Sequence, residues 1–329
     1  TGAGSRGHDA RRLCRQLGLA LHRVNFADAY KQRVFTRFLE EYRRGRTPNP
    51  DVLCNREIKF GVLRSYAQRL GGRWLATGHY ARTVRAGERL ELHKGCDPGK
   101  DQSYFLHALA ARHLSNVMFP LGEKLKSEVR GTARQALLRV AEKKDSTGIC
   151  FIGERPFAAF LSRYLPMDPG EIKDPNGRVL GTHRGLAGYT LGQRQGLGIG
   201  GLADRPQGAW YVAAKDPQAN ALIVVQGHDH PLLYQNWLTA SGMHWINGPP
   251  PGWSQGAALQ CRAKTRYRQP DQPCTAFAAS GDSIEVRFAQ PQRAVTPGQY
   301  VVLYQGTRCL GGATIEAAQW RSGTLEATA

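Results

Sequence analysis

The chain has 329 residues, of which 41% are hydrophobic, so it is too long for one small core and predicts two or three domains. It has no apolar run that could cross a bilayer, no signal peptide, and neither the cysteine spacing of a secreted disulfide framework nor the Cys-x-x-Cys pair of a structural zinc site. We therefore expect a cytoplasmic protein without membrane contact or structural metal. The excess of 45 Lys and Arg over 26 Asp and Glu gives a formal net charge of +19, which favours a nucleic-acid partner.

The first half of the chain predicts alternating helices and strands. Apolar residues recur at helical spacing in three segments that end near glycines, 9–17, 28–44 and 57–70. Short apolar runs predict strands at 19–26 and 74–77. This order is typical of an α/β domain with a parallel sheet, whose ligands bind at the carboxyl ends of the strands. A hairpin and three further helices are expected at 80–94, 102–114, 126–139 and 156–164.

After Pro166 the helical periodicity fades and short alternating apolar segments take over. Seven of these segments predict strands: 210–214, 222–226, 259–263, 275–279, 284–288, 300–304 and 310–315. Their spacing, with turn residues between them, indicates small β-rich modules or a barrel.

Cys54 and Cys150 stand out among the seven cysteines because each lies near turn-forming residues and a carboxylate. We predict that both occupy loops, at 46–55 and 145–153. A thiolate in a solvent-accessible loop can act as a nucleophile or carry sulfur. The alternative is that each is a small buried hydrophobic residue, which is the commonest fate of a free cysteine.

The segment that precedes Cys54 contains two prolines, which stiffen the backbone, and an Asn and an Asp with polar edges. Asp51 lies three residues before Cys54, so both face one ligand if the segment turns as the start of a helix. A carboxylate there can exchange protons with a reacting base. The alternative is that Asp51 only caps the next helix.

Two further segments combine charge with aromatic side chains. Residues 100–105 open a predicted helix and are interpreted either as a polar contact surface or as an N-cap. At the end of a predicted strand, Arg266 and Arg268 flank Tyr267. This pattern suits base stacking and phosphate contact with RNA, and its alternative is a solvated strand end.

Seven segments together resemble the tRNA-specific 2-thiouridylase family in its bacterial form. They are long, follow the family's order and spread over nearly the whole chain. In order they are GRTPNPDVLCNREIKF (45–60), ATGHY (76–80), KDQSYFL (100–106), KDSTGICFIGE (144–154), TLGQR (190–194), KTRYR (264–268) and TPGQ (296–299).

The resemblance implies a fold of three parts. The first, 1–155, is a truncated parallel α/β catalytic domain of the ATP-pyrophosphatase type, similar to adenine-nucleotide hydrolases. A small central domain follows at 156–230, and a C-terminal β-barrel that contacts tRNA follows at 231–329.

The resemblance also implies an activity. The family uses ATP, with Mg²⁺ expected beside it, to adenylate the C2 oxygen of the wobble uridine in certain tRNAs, and then replaces that oxygen with sulfur. The implied partners are tRNA and a sulfur-relay donor protein.

Roles are implied residue by residue. Cys150 resembles the cysteine that receives sulfur as a persulfide, and Cys54 resembles the partner thiol that can form a transient disulfide with it. Asp51 resembles the acid/base group at the target uridine, and Gly78 matches an ATP contact. The positions that match tRNA contacts are Asn49, Pro50, Asp51, His79, Lys100, Asp101, Gln102, Arg266, Tyr267 and Gln299.

One expected segment does not occur in the 329 residues. The family opens with a strand and a Ser-Gly-Gly-x-Asp-Ser loop whose backbone N–H groups hold pyrophosphate, and the chain joins the family pattern only near Asp9. We therefore expect these residues alone to bind tRNA weakly and not to hydrolyse ATP to AMP.

Two rival functions remain open at this point. One is an adenylating enzyme of the same fold that acts on a small metabolite and has no use for the Arg-Tyr-Arg segment. The other is a non-catalytic RNA-binding remnant, in which Cys54 and Cys150 have no role.

Overall fold

The computed structural model describes residues 2–143, 157–199 and 208–322. The chain forms two compact units. The first comprises Thr1–Thr36, Pro50–Phe157 and Thr307–Cys309, and the second comprises Arg37–Asn49, Ala158–Gly306 and Leu310–Ala329. Within the described ranges, no helix has both the length and the apolarity that a membrane crossing requires.

Helices dominate the first 143 residues. In chain order they are α1 (Gly2–Gln16), α2 (Ala27–Tyr30), α3 (Thr36–Arg43), α4 (Pro50–Leu53), α5 (Arg64–Arg69), α6 (Ala111–Leu114) and α7 (Lys126–Gln135). Two π-helical segments, Lys31–Phe35 and Cys54–Leu63, link α2 to α3 and α4 to α5. The two long helices predicted at 28–44 and 57–70 are therefore confirmed.

The second of these helices begins earlier than predicted. It starts at Pro50, so the loop predicted around Cys54 is helical there and that prediction is wrong. The physical reason is that a proline at the first helical position has its φ preset and lacks an N–H that would be unpaired anyway. Asp51 in the first turn adds a favourable charge at the positive end of the helix dipole.

The strand predicted at 19–26 is also wrong. Residues 19–26 form no strand with any other described residue, and Leu19, Leu21 and Val24 are exposed. A strand is stable only beside a neighbour that takes up its backbone hydrogen bonds, so an apolar run alone does not make one. The predicted helix at 102–114 is interrupted, because a 3₁₀ turn at Ser103–Leu106 precedes α6.

The described strands of the first unit form a parallel pair and a hairpin. Strand β1 (Leu75–Ala76) pairs in parallel with β4 (Val117–Met118). Strands β2 (Ala81–Ala86) and β3 (Arg89–Lys94) form the predicted hairpin. Residues 77–80 therefore leave the carboxyl end of a parallel strand, where α/β folds place their ligands.

The second unit continues with a helix and a four-stranded sheet. Helix α8 is Phe157–Leu161, of which only Phe157 belongs to the first unit, and the strands are β5 (Gly170–Lys173), β6 (Val179–His183), β7 (Trp210–Asp216) and β8 (Ala221–Gln226). Their order is β6-β5-β8-β7, with β5 and β8 parallel and the other pairs antiparallel. Buried apolar side chains cover this sheet, with Ile172, Val212, Leu222 and Val224 at its centre.

Six strands then close into a barrel. They are β9 (Tyr234–Trp245), β10 (Leu259–Lys264), β11 (Gln272–Ala278), β12 (Ile284–Arg293), β13 (Tyr300–Gln305) and β14 (Arg308–Gln319). The order β13-β10-β11-β12-β9-β14 is closed by pairing of β13 with β14. Alternate residues point inward, and Leu238, Val286, Val301 and Ile315 are among the fully buried members of the core.

All seven strands predicted after Pro166 are confirmed, but three were missed: β5, β6 and β9. Strand β9 carries polar and small side chains such as Gln235, Asn236 and Ser241, and Gly242 near its end has a positive φ of 68°. Its apolar alternation is therefore too weak to predict a strand, and its pairing with β12 and β14 determines its conformation.

Candidate active site

The proline-rich loop before Pro50 is held at its start by the second unit. Thr47 N donates to the carbonyl of Pro297 at 2.9 Å, and Gln299 Nε2 donates to the carbonyl of Thr47 at 2.6 Å. Gly298 has a φ of 89°, and a Cβ there would lie 2.9 Å from Arg46 Cβ and 3.0 Å from Thr47 N. The Thr-Pro-Gly-Gln segment is therefore a seat for the loop, and glycine is required in it.

An ion-pair network holds the same loop from its other side. Arg46 pairs through both Nη atoms with the carboxylate of Glu316, and its Nη1 also lies 3.3 Å from Glu41 Oε2. A bidentate contact between a guanidinium and a carboxylate fixes the relative orientation of the two groups as well as attracting them. Because Arg46 is only partly exposed, this pair is screened less than a surface ion pair.

Beyond Asn49 the chain turns into the helix that carries two candidate catalytic residues of the first unit. Asp51 and Cys54 lie three positions apart in consecutive helical segments, α4 and Cys54–Leu63, so their side chains emerge on one face. Both are partly buried, and Pro50 beside them is buried. The sequence predicted a shared face for Asp51 and Cys54 if their segment forms the start of a helix, and the structure has that helix. Asp51 lies inside the helix and not at a capping position ahead of it.

The carboxyl group of Asp51 is tuned by its surroundings. Burial raises its pKa above the ordinary value, and the positive charge of Lys59, two helical turns further on, opposes that shift without cancelling it. A carboxyl group with a raised pKa holds and releases a proton closer to neutral pH than an exposed aspartate does. Lys59 was not singled out from the sequence, although its spacing of eight residues places it on the same helical face.

Gly78 and His79 follow strand β1. Gly78 is exposed, and the nearest side-chain atom to a Cβ built there would be Leu121 Cδ1 at 3.8 Å. A glycine at this end of a parallel strand lets a flat nucleotide base approach the backbone, so the position fits an ATP contact. His79 is buried, its Nδ1 lies 2.9 Å from Thr77 Oγ1, and its ring packs against Phe60 and Phe119.

Burial, with a smaller contribution from Lys59, lowers the pKa of His79 to about 3. The imidazole is therefore neutral at physiological pH and acts through hydrogen bonding and shape, not through charge. Its predicted role as a tRNA contact stays a prediction.

The Lys100-Asp101-Gln102 segment is held by hydrogen bonds inside the first unit. Asp101 is buried, and its Oδ1 accepts from Gly95 N and Ser103 N while its Oδ2 accepts from Ser103 Oγ. The contact with Ser103 N is that of an Asx turn, because the N-cap of the following 3₁₀ segment is Gln102, whose side chain makes no capping hydrogen bond. Gln102 Oε1 accepts from the N–H of Tyr80 at 3.1 Å, so Gln102 holds the residue that follows His79. Lys100 is partly exposed.

The Arg-Tyr-Arg segment follows β10 in the second unit. The Nη2 of Arg266 donates to the carbonyl of Leu191 at 3.0 Å, to the carbonyl of Ala294, and to Thr296 Oγ1 at 3.3 Å. This part of the guanidinium therefore braces the segment that leads to the Thr-Pro-Gly-Gln seat. Tyr267 is partly exposed and Arg268 is exposed.

The predicted residues fall into separate groups. In the first unit Asp51 lies with Cys54, and Gln102 lies beside Tyr80, next to His79. In the second unit Gln299 contacts the loop that leads to Asn49, and Arg266 contacts Thr296. Cys150 lies outside the described residues. The loop anchors Arg46 and Glu316 were missed, and no sequence signal joins two residues so far apart along the chain.

The comparisons with known proteins cover the chain almost from end to end. Residues 3–154 match the family described as tRNA methyl transferase HUP domain, residues 158–226 match the tRNA methyl transferase PRC-barrel domain, and residues 235–315 match the aminomethyltransferase beta-barrel domain. With the closed six-stranded barrel described above, these matches confirm the predicted fold class of an α/β domain, a small central domain and a C-terminal barrel. The exact boundaries at 155 and 230 stay predictions.

Curated relatives are similar over most of their own length as well. The "tRNA-specific 2-thiouridylase MnmA" of Methylococcus capsulatus is 56% identical over 94% of this chain and 82% of its own. Proteins of the same name from Hahella chejuensis and Cupriavidus metallidurans are 54% and 56% identical, over 94% and 91% of this chain and 84% and 83% of theirs. Identity of this extent, together with a Pro-Asn-Pro-Asp segment that enters a helix bearing Asp51 and Cys54, leads to one conclusion: the chain belongs to the tRNA-specific 2-thiouridylase family.

Proposed function

We propose that this protein is a tRNA 2-thiouridylase, which replaces the C2 oxygen of a wobble uridine with sulfur in an ATP-dependent reaction. The observation that carries the proposal is the placement of Asp51 and Cys54 on one face of a helix start, in a chain whose relatives bear that enzyme's name. A proton-transfer group and a thiol are the two functions that such a sulfur transfer needs from the protein.

ATP would supply the adenylyl group that turns the uridine oxygen into a leaving group, and Gly78 would contact the nucleotide. The chain's own residues then handle protons and sulfur. Asp51, with its raised pKa, takes the proton from the uridine base or returns it. The neutral ring of His79 and the amide of Gln102 shape the surroundings without adding charge.

Sulfur would arrive from a relay donor protein as a persulfide on Cys150. The terminal sulfur attacks C2 of the activated uridine, and AMP leaves. The thiolate of Cys54 then attacks the sulfur of Cys150, so the sulfur–sulfur bond breaks, a Cys54–Cys150 disulfide forms and the thiouridine is released. An external dithiol reduces the disulfide to two thiols and starts the next cycle.

Recognition of tRNA would draw on both units. The target base has to leave its stack to reach Asp51. Arg46 and Gln299 hold the loop that precedes Pro50 within the second unit. Tyr267 and the exposed Arg268 are suited to stacking and phosphate contact. A net charge of +19 supports attraction of the phosphate backbone over long range.

The proposal is tested by expressing the complete reading frame that encodes these residues in a bacterial strain whose own 2-thiouridylase gene is deleted. Mass spectrometry of digested tRNA is expected to detect restored 2-thiouridine. The isosteric variant Asp51→Asn cannot ionise at the helix start, so we expect its 2-thiouridine content to fall at least 100-fold, in the range that loss of an acid/base group costs.

The matched control is Asp28→Asn, which changes an exposed aspartate in α2 and should leave the modification at its wild-type level. Absence of 2-thiouridine with the wild-type gene, at normal protein levels, contradicts the proposal. If tRNA binds tightly but no variant at position 51 or 54 matters, the RNA-binding alternative is correct. If ATP is consumed with a small metabolite and Arg266→Glu has no effect, the metabolite enzyme is correct.

A further inference from the structure

A cavity of about 440 Å³ lies within the second unit. Its described walls come from the loop residues 44–47, Leu191, the end of β7, residues 232–235 at the start of β9, residues 294–297, and β14. Apolar side chains make up much of the lining, among them Leu191, Leu232, Val295 and Ala318. A cavity of this size and character, with a few polar groups aimed into it, is typical of a small-molecule site.

Lys215 is the first of these polar groups. It lies near the end of β7, its Nζ is buried, and it has no hydrogen-bond partner among the described residues. Burial lowers its pKa to about 8, so it is still largely protonated at neutral pH. A buried ammonium group without a counter-ion destabilises the fold. Such groups are usually found at binding sites, where a ligand supplies the missing negative charge.

The backbone beside Lys215 is irregular. The register between β7 and β8 shifts between Val212 and Ala214, which is the signature of a β-bulge. Bulges re-aim the side chains that follow them and are enriched next to binding sites. The cavity is lined by Ala213, Ala214 and Lys215, so the bulge and the lysine both form part of its wall.

Among the described residues of the lining Glu316 is the one carboxylate, and it does not neutralise Lys215. Oε1 of Glu316 accepts from Arg46 Nη1 at 3.2 Å and from Ser241 Oγ, and Oε2 accepts from Arg46 Nη2. Arg44 and Arg46 also line the cavity. Arg44 pairs with Glu41, and Arg46 pairs with both Glu41 and Glu316. Lys215 is therefore the cation of the described lining that has no partner, and it favours an anion.

Gln235 provides the complementary group. It lines the cavity from β9, and its Oε1 is buried without a hydrogen-bond donor among the described residues. A ligand that relieves both side chains must carry an anion for Lys215 and an N–H for Gln235, with an apolar or flat body between them. A nucleoside monophosphate has these three parts, and the cavity is large enough to receive one.

The geometry points to a second binding site in this cavity, for a nucleoside monophosphate, either as a free molecule or as one nucleotide of an RNA. The phosphate pairs with Lys215, an N–H of the base donates to Gln235, and the base and sugar lie on the apolar wall. The inference uses neither Asp51 nor Cys54, so it stands apart from the proposed sulfur transfer.

The test is titration calorimetry with cytidine 5′-monophosphate, because this nucleotide carries neither the adenine of ATP nor the target base. Cytidine without phosphate and inorganic phosphate are measured beside it. We expect Lys215→Met to weaken binding of the monophosphate at least tenfold and Lys215→Arg to retain most of it. Gln235→Leu should weaken the monophosphate but not inorganic phosphate.

The matched control is Lys173→Met on β5, whose ammonium pairs with Glu171 and which should bind like the wild type. Thermal unfolding without ligand gives a second readout: Lys215→Met should unfold at a higher temperature, since it removes an unpaired buried charge. A lysine with a purely structural role would instead lower the unfolding temperature when replaced.

The source of the nucleotide is decided by repeating the titration with a short single-stranded RNA. Tighter binding of free cytidine monophosphate, lost in Lys215→Met, supports a free ligand. Binding of the RNA alone, weakened in Lys215→Met and restored in Lys215→Arg, supports a nucleotide of an RNA chain. If neither ligand binds at 10 mM nucleotide, or if Lys215→Met binds both as the wild type does, the inference is overturned.

Discussion

The side chain of His79 illustrates how burial sets chemistry at the scale of one residue. The imidazole packs against Phe60 and Phe119, which come from a helix and from the segment after β4. Its folded-state pKa of about 3 lies below the ordinary value of 6.5, so the unfolded chain binds more protons between these values. The free energy of unfolding must therefore fall as the pH drops below 6.5.

We predict that His79→Gln makes the protein less sensitive to acid. Between pH 6.5 and 4.5 the titration of His79 should cost the wild type about 2–3 kcal/mol of stability, a cost that the variant does not have. Urea unfolding at several pH values measures the difference between the two proteins. His22→Gln, at an exposed position, should keep the wild-type dependence, and parallel curves for His79→Gln and the wild type would refute the account.

At the scale of residues, the sequence could predict contacts between near neighbours along the chain but not effects that arise from the packing of distant segments. The three-residue spacing of Asp51 and Cys54 predicted a shared face, because helical geometry relates near neighbours. The raised pKa of Asp51 was not predictable, because it arises from burial in the fold. Asp101, in the segment 100–105, accepts three hydrogen bonds, but the residue at the N-cap is Gln102 and its side chain does not cap, so the N-cap interpretation of this segment is not supported.

At the scale of elements, the seat formed by residues 296–299 is the contact on which the active-site loop depends. Gly298 is its critical position, since it combines a positive φ with close approach of the backbone at Arg46 and Thr47. A side chain at this position must displace either the seat or the loop.

Gly298→Ala is therefore expected to lower the free energy of unfolding by about 2–4 kcal/mol, the sum of a left-handed backbone penalty and a steric clash. Gly306→Ala is the matched control: its φ is 56° and a Cβ there meets nothing within 4 Å, so it should cost only about 1–2 kcal/mol. Chemical unfolding of both variants measures the difference. Equal losses would mean that the loop does not rest on Gly298.

Helices and strands were predicted correctly where the hydrophobic pattern of a segment agreed with its pairing in the fold. The barrel strand around Val286 alternates clearly, and the strand around Val302 is a continuous apolar run, so both were found. Strand β9 was missed because small and polar residues interrupt its alternation. The run at 19–26 was apolar enough for a strand but has no neighbour among the described residues. The start of the helix at Pro50 is not predicted by the sequence, because prolines at positions 48 and 50 are equally typical of a loop.

At the scale of the whole molecule, composition and motif order predicted more than any single element did. The arrangement of an α/β domain, a small central domain and a barrel followed from seven short segments spread over the chain, and the family matches confirm it. The net charge of +19 fits a protein that acts on RNA, but it does not say which surface contacts the RNA. The cavity beside Lys215 had no sequence signal, because its described walls come from six separate segments.

The central claim is that a persulfide on Cys150 gives its terminal sulfur to a uridine of tRNA, and that Cys54 then releases the product by forming a disulfide with Cys150. Its most direct test is peptide mapping without reductant, after the product of the complete reading frame has turned over ATP, tRNA and a persulfide donor. We predict a disulfide-linked pair of peptides that contain positions 54 and 150. The pair and the 2-thiouridine should both be lost in Cys54→Ser and kept in Cys96→Ser, which changes an exposed cysteine. Wild-type levels of 2-thiouridine from Cys54→Ser, without the linked peptides, would contradict the claim.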